Sequence, residues 1–128
     1  MSSQRTAMPC PCGRGRGYDQ CCGPVHAGSP AATAEALMRS RYSAFVMRDT
    51  GYLLRTWHVS TRPARLSDPG REWTGLEIVD TTAGGLFDRT GTVRFNAHYR
   101  DGGQPGIQSE NSRFVREGRQ WFYVDAAE

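Results

Sequence analysis

All four cysteines of the chain lie within residues 10–22, in the segment CPCGRGRGYDQCC. Their spacing is C-x-C-x8-C-C, so one loop separates two pairs of thiols. Four thiolates match the ligand number and the ligand type of a closed tetrahedral zinc site. Pro11 and Gly13 can shape a turn that points the first pair of sulfurs at one place, and the loop returns the second pair. The segment therefore predicts one structural Zn²⁺ per chain, bound by Cys10, Cys12, Cys21 and Cys22.

Other uses of these thiols explain the segment less well. A bond between the neighbours Cys21 and Cys22 would be strained, and a reducing compartment disfavours disulfides in general. A redox site would more typically show C-x-x-C before a helix, and a phosphate loop would follow a strand and carry a lysine. Two alternatives stay open. His26 could replace one of the neighbouring cysteines as fourth ligand, and the loop with Arg14 and Arg16 could contact RNA or the ribosome.

The charge of the chain is mildly basic, with 16 basic and 13 acidic residues and a formal net charge of +3. Every basic residue is an arginine, and the arginines are dispersed along the chain, which is a weak indication of nucleic-acid binding. Arg14 and Arg16 are placed to offset the negative charge of four thiolates around one zinc ion. The N-terminus lacks the apolar stretch of a secretory signal, and no apolar run is long enough to span a membrane. We therefore expect a cytoplasmic protein without membrane insertion.

Composition divides the chain near residue 29. Residues 1–29 are rich in Gly, Pro and Cys and contain few residues that could form a core. A segment of this size usually needs a metal or disulfides to fold. Residues 30–128 are long enough to bury a core of their own. The predicted organisation is a zinc knuckle at 1–29 followed by an α+β domain at 30–128.

The elements predicted for the second domain are helices first and strands afterwards. Thr33 can cap a helix that ends near Arg48, and Asp49 or Thr50 can cap a shorter helix at 52–57. Strands are predicted at 73–80, 92–99, 108–115 and 121–124, with a loop at 59–72 and hairpin turns in RDGGQPG and REGRQ. Helices followed by an antiparallel meander define an α+β fold.

The cysteine segment resembles the SEC-C motif, C-x-C-x8-C-[CH], which is known from the SecA translocase motor. Two further segments, TAEALMRSRYSAFVMRDTGYLLRTWH and SRFVREGRQWFYVD, resemble the bacterial YchJ-like family, so the resemblance covers nearly the whole chain. It implies zinc ligation by the same four cysteines and docking of a protein partner by the motif. It also implies that residues 30–128 fold like nuclear transport factor 2, with helices packed on a curved antiparallel sheet to form a cone.

A cone of this kind often holds an apolar pocket with a few polar groups, where a small ligand would bind. The candidate pocket residues are Arg41, Trp57, His58, His98, Glu110, Asn111 and Tyr123. Arg41 could point a cation into the cone, and Glu110 lies in an unusually polar half of its strand. His58 stands at a helix end, as a capping residue would, and His98 is on the polar side of its strand. These residues permit an enzyme, but no Ser/His/Asp order, paired carboxylates or second metal cluster indicates one.

Three functions follow from these observations. The first is a zinc-binding interaction protein that docks a protein partner through the knuckle. The second is a small-molecule binder or enzyme that uses the cone, with the knuckle as an accessory. The third, which is weaker, is contact with RNA or the ribosome through the Arg-Gly loop; such contact would weaken steeply with rising salt.

Overall fold

We analysed a computed structural model of the chain, which describes residues 8–66 and 70–126. Its helices are α1 (Cys22–His26), α2 (Ala34–Met47) and α3 (Thr50–Arg55), and a 3-10 turn, Tyr18–Gln20, precedes α1. Its strands are β1 (Glu72–Ala83), β2 (Thr90–Asp101), β3 (Gln104–Glu117) and β4 (Gln120–Ala126). The predicted α+β order is confirmed, and residues 67–69 of the predicted loop lie outside the described residues. No helix in the described residues is long and apolar enough to cross a membrane.

Two predicted capping residues begin the longer helices. The Thr33 hydroxyl accepts a hydrogen bond of 3.0 Å from the amide of Ala36, in the first turn of α2. The Asp49 carboxylate accepts one of 3.1 Å from the amide of Tyr52, in the first turn of α3. Each cap satisfies an amide that has no partner inside its helix. Because Asp49 is the cap, α3 begins at Thr50, earlier than the predicted start at 52.

The end of α3 differs from the predicted end at 57, because the chain leaves the helix to pair with β4. The amide of Tyr123 donates to the carbonyl of Thr56 at 2.9 Å, and the amide of His58 donates to the carbonyl of Tyr123 at 2.7 Å. These bonds form a parallel bridge between Trp57 and Tyr123. The last turn of the predicted helix is therefore replaced by sheet-like pairing, which ties α3 to β4.

The four strands form one antiparallel sheet in the order β1-β2-β3-β4. Gly102 and Gly103 make the turn between β2 and β3 with φ values of 60° and 86°, a pair that suits a two-residue hairpin turn. Both strands therefore extend to Asp101 and Gln104, beyond their predicted ends, because the tight turn lets backbone pairing continue to the hairpin tip. Register shifts at Trp73/Gly75, Ile78/Asp80 and Arg113/Phe114 interrupt the pairing, and such irregularities bend a sheet.

Helix α2 packs against β1, β2 and β4 and buries its apolar side there. Alternate residues of β2 face the helix, as predicted, with Val93, Phe95 and Ala97 all buried. The same core cluster includes three cysteines of the N-terminal segment, which are Cys10, Cys12 and Cys22. The N-terminal segment thus packs into the core of the α+β body. The division of the chain at residue 29 stays a prediction.

Candidate metal centre

A short hairpin positions the first two cysteines. The amide of Cys10 donates to the carbonyl of Arg16 at 2.9 Å, and the amide of Tyr18 donates to the carbonyl of Met8 at 2.9 Å. Between these bonds the chain turns through Gly13 and Gly15, whose φ values of 80° and 94° suit glycine because it has no Cβ. The hairpin therefore holds Cys10 and Cys12 on one side of a tightly reversed chain.

The second pair lies where the 3-10 turn meets α1. The amide of Cys21 donates to the carbonyl of Tyr18 at 3.1 Å, which closes the turn. Cys21 is the N-cap of α1, and Cys22 is its first residue. The change of backbone direction between them points both sulfurs toward the hairpin. The neighbours in sequence can therefore face one centre.

The four sulfurs lie within 4.8 Å of one another, and those of Cys12 and Cys21 are 3.5 Å apart. Four sulfurs at about 2.3 Å from one zinc ion would lie about 3.8 Å from one another in a tetrahedron. The observed spacing therefore fits four thiolates around one such ion. Cys10, Cys12 and Cys22 are buried, and Cys21 is half-buried, so the cluster has one side near the surface.

The hydrogen bonds among the thiols shift their pKa values in a way that a bound cation would counteract. The thiol of Cys22 donates to the sulfur of Cys12 and lowers the pKa of Cys12 to about 4, although burial opposes this shift. Burial, followed by the hydrogen bond to Cys12, raises the pKa of Cys21 to about 11. The pKa of Cys22 also rises, chiefly because its hydrogen is held by Cys12. One thiolate at Cys12 thus suppresses ionisation of Cys21 and Cys22, and a bound divalent cation would supply the charge that lets these two thiols ionise.

Helix α2 contributes side chains to the surroundings of the sulfurs. The Ser43 hydroxyl lies 3.3 Å from the sulfur of Cys22 and 3.5 Å from that of Cys10. The Arg39 guanidinium donates to the carbonyl of Cys12 at 3.0 Å and is held by an ion pair of 2.9 Å with Glu35. The centre is therefore built by the N-terminal segment and by one helix of the α+β body.

His26 is fully engaged elsewhere. A carbonyl can only accept, so Nε2 of His26 donates to the carbonyl of Ser40 at 2.8 Å. Nδ1 then accepts from the hydroxyl of Tyr18 at 2.6 Å. The ring also packs on Tyr52, with centroids 4.6 Å apart. With both nitrogens used, His26 fastens the segment to α2, and the structure does not bring it to the sulfurs as a fourth ligand.

A small cavity of about 110 Å³ opens beside the cysteines. Arg14, Arg16 and Arg39 line it, together with Cys21 and Cys22 and an apolar floor that includes Val25 and Ala31. The Arg14 and Arg16 side chains are exposed, and neither has an ion-pair partner among residues 8–66 and 70–126. The two arginines therefore border the cysteine cluster with their charges free to meet a partner.

Four of the predicted pocket residues meet inside the cone. The Arg41 side chain is only 3% exposed, and its guanidinium carbon lies 4.6 Å from the ring centroid of Tyr123 and 5.3 Å from that of Trp57. The Tyr123 hydroxyl donates to Glu110 at 3.1 Å. Burial lowers the pKa of Arg41 to about 10, against the opposing electrostatic influence of Tyr123, Tyr52 and Glu110. Arg41 is buried and Trp57, Glu110 and Tyr123 are half-buried, and the four residues therefore form one contacting group.

The other three predicted pocket residues lie outside this group. His98 pairs with Ile107 on the outer face of the sheet and lies 3.9 Å from the exposed Glu77, so it is a solvated residue. Asn111 pairs with Arg94 on that same outer face. They do not join Glu110, because Glu110 pairs with the buried Phe95 and neighbouring residues of a strand point to opposite faces.

His58 turns away from Arg41. Its Nε2 lies 2.7 Å from a carboxylate oxygen of Glu117, and its Nδ1 lies 2.7 Å from the hydroxyl of Ser60. Because the amide of Ser60 also donates to Nδ1, this nitrogen is the acceptor and Nε2 carries the proton. His58 therefore links the chain after α3 to the β3–β4 hairpin, instead of capping the helix.

Sequence reasoning did not find Ser43, Arg39 or His26 in these roles. Ser43 and Arg39 both lie in the predicted helix that begins after Thr33. Two serines, Ser40 and Ser43, stand among apolar residues on the buried side of α2. Such buried hydroxyls need hydrogen-bond partners, which is the signal that could have found Ser43.

Comparisons with known proteins agree with this geometry. The family model described as YchJ, middle NTF2-like domain, matches residues 33–126. A UPF0225 protein of Streptomyces coelicolor is 60% identical over 119 residues, which cover 91% of this chain and 93% of that protein. The expected likeness of the α+β body to nuclear transport factor 2 is thus confirmed for residues 33–126.

Two solved structures are similar over most of the chain. The solution structure of a SEC-C motif containing protein from Rhodopseudomonas palustris has a TM-score of 0.81 at 31% identity, with 93% of this chain and 97% of that chain covered. The crystal structure of a SEC-C motif containing protein from Psychrobacter arcticus has a TM-score of 0.78 at 28% identity, with 94% and 82% covered.

Proposed function

The chain belongs to the UPF0225 family and carries the YchJ middle NTF2-like domain, and on that premise we propose that it is a zinc protein that docks a protein partner beside its cysteine centre. The observation that carries the proposal is the set of four sulfurs within 4.8 Å of one another. Zinc is the metal that favours four thiolates in a tetrahedron. The resemblance of the segment to the SEC-C motif, and the SEC-C names of the two solved neighbours, support the same assignment.

The zinc has a structural role in this proposal. Four protein ligands leave no coordination position for water or substrate, so the ion holds the segment in place. The free thiols would persist in a reducing compartment, and the proposal therefore places the protein in the cytoplasm. Metal binding would favour the folded segment, because its small size leaves little apolar surface to bury.

The proposed docking surface is the loop of residues 13–16 together with the cavity beside it. All four loop residues are exposed, while hydrogen bonds at both ends fix the loop on the metal centre. Arg14 and Arg16 present two charges next to an apolar floor. A surface that is rigid before binding loses little conformational entropy on binding, which favours docking. Basic groups around an apolar hollow suit a protein segment that carries carboxylates beside a small apolar side chain.

A capture experiment tests this function. Zinc-loaded protein is used as bait in an extract of the cells that make it, alongside the double variant Arg14→Ala/Arg16→Ala and a control double variant, Arg94→Ala/Arg100→Ala. Arg94 and Arg100 are exposed on β2 and do not line the cavity, so the control matches the change in charge. We expect one protein partner to be retained by the wild type and by the control and lost by the loop variant.

Retention of all partners by the loop variant would contradict docking through the loop. The same capture after nuclease treatment separates protein from RNA. If the partner disappears with nuclease, and if its binding weakens steeply with salt, contact with RNA replaces protein docking. Zinc content of each bait is measured in parallel, so that loss of the metal is not mistaken for loss of the surface.

A second candidate function is binding of a small ligand in the cone. Nη1 of Arg41 donates to the carbonyl of Leu53 at 2.8 Å and to the hydroxyl of Thr56 at 2.7 Å. Within the described part of the chain, Nε and Nη2 have no hydrogen-bond acceptor. A ligand carboxylate could meet these donors. The test is an NMR screen of small carboxylic acids, in which binding to the wild type and its loss in Arg41→Met support the cone, and no binding to the wild type contradicts it.

A further inference from the structure

Two buried serines of α2 stand three positions apart and use their hydroxyls differently. Ser40 donates to the carbonyl of Leu37 at 2.7 Å and meets the hydroxyl of Tyr52 at 2.6 Å. Buried serines inside helices commonly bond back to a carbonyl of the preceding turn in this way. Ser43 is also fully buried, but in the described part of the chain its hydroxyl contacts sulfur, that of Cys22 at 3.3 Å and that of Cys10 at 3.5 Å.

We propose that Ser43 is a positioning residue of the metal centre, whose hydroxyl stabilises the thiolate charge of Cys22 by a hydrogen bond and limits the movement of Cys10 by contact. This inference rests on the proposed zinc site. It adds a role for α2 that the cysteine motif does not contain, because Ser43 lies 21 residues beyond Cys22 in the chain.

The chemistry of the two groups sets the direction of the bond. A thiolate that ligates a metal has no hydrogen and can only accept, so the Ser43 hydroxyl is the donor. The hydroxyl has one hydrogen, and the shorter contact, 3.3 Å to Cys22, is the one it makes. The sulfur of Cys10 lies 3.5 Å from the same oxygen and packs against it. One side chain therefore limits the movement of two ligands.

A hydrogen-bond donor at this place would stabilise negative charge on the buried sulfurs. Four thiolates around one divalent cation leave net negative charge on sulfurs that are mostly buried. Buried charge is costly unless hydrogen bonds stabilise it. Partners that orient metal ligands commonly change metal affinity by about 10- to 100-fold when they are removed. Ser43 is placed to act as such a partner.

Ser43→Ala tests the inference, and Ser40→Ala is the matched control. Both changes remove one buried hydroxyl from the same helix, but only Ser43 contacts sulfur. Zinc affinity is measured by competition with a chromophoric chelator on the full chain. The chain is also loaded with Co²⁺ in place of Zn²⁺, and the cobalt absorption bands report the geometry and the donor strength of the sulfurs.

We expect Ser43→Ala to lower zinc affinity by about 10- to 100-fold and to shift the cobalt bands. Ser40→Ala is expected to lower the stability of the fold while its cobalt bands stay at the wild-type positions. Cobalt bands and zinc affinity in Ser43→Ala that equal those of Ser40→Ala would overturn the inference and leave the zinc site intact. A wild type that binds neither ion would instead contradict the proposed function itself.

Discussion

The hydroxyl of Ser43 lies 3.3 Å from the sulfur of Cys22, so helix α2 reaches directly into the cysteine centre. The same helix supplies Arg41 to the cone, where the guanidinium stacks on Tyr123. Ser43 and Arg41 are close in sequence, but they serve two different sites. Helix α2 therefore contributes side chains both to the metal centre and to the group around Arg41.

His26 is predicted to stabilise the N-terminal segment without binding the metal. His26→Phe keeps a ring of similar shape but removes hydrogen bonds to Tyr18 and Ser40. We expect the free energy of unfolding of the zinc-loaded protein to fall by about 1–3 kcal/mol, measured by urea titration. Tyr18→Phe removes one of the two bonds and should cost less. Loss of zinc from a His26→Phe protein that remains folded, with zinc retained in Tyr18→Phe, would contradict this purely structural role.

Arg41 is predicted to stabilise the cone through packing and hydrogen bonds more than through its charge. Arg41→Ala leaves a void between Trp57 and Tyr123 and removes the donor to Leu53, so we expect a loss of about 3 kcal/mol or more. Arg41→Met keeps most of the volume and no longer buries a cation, so its loss should be clearly smaller. Urea unfolding of both variants decides the point, and an equal loss in the two would contradict it.

Stability should fall at alkaline pH because buried tyrosines must ionise. Burial raises the pKa of Tyr42 to about 12, although a backbone hydrogen bond from Gly75 opposes the shift. The folded state thus favours the neutral phenol, and its contribution is complete below the ordinary tyrosine pKa of about 10 and is lost as the pH rises from 10 toward 12. Tyr42→Phe has no phenol to ionise, so its free energy of unfolding should fall less steeply over this range. Identical slopes in urea titrations of the two proteins would refute this assignment.

Local signals in the sequence predicted much of the fold. Thr33 and Asp49 cap the helices because a short polar side chain before an apolar stripe satisfies free amides. The alternation in β2 correctly placed Phe95 inside and His98 outside. The predicted strands were too short, since the two-glycine turn allows pairing to continue through polar residues.

The side chains that surround each site could not be predicted from local sequence patterns, because the contacts join residues that are far apart in the chain. The bond between Ser43 and Cys22 joins residues 21 apart, and that between Arg39 and Cys12 joins residues 27 apart. Whether His98 and Glu110 share a face of the sheet depends on the register of β2 on β3. That register pairs Glu110 with Phe95 and His98 with Ile107, which places the two residues on opposite faces. The spacing of the cysteines did predict that the four sulfurs lie close together. Both pairs belong to one short hairpin and the turn that follows it, and residues so near in sequence cannot be far apart in space.

The most direct measurement of the central claim is the metal content of the purified full-length chain, determined by elemental analysis and by native mass spectrometry. The account predicts one zinc ion per chain, which is lost or strongly reduced in Cys12→Ser and in Cys21→Ser and retained in His26→Phe. A folded wild-type protein that carries no zinc and takes up none when zinc is supplied would contradict it.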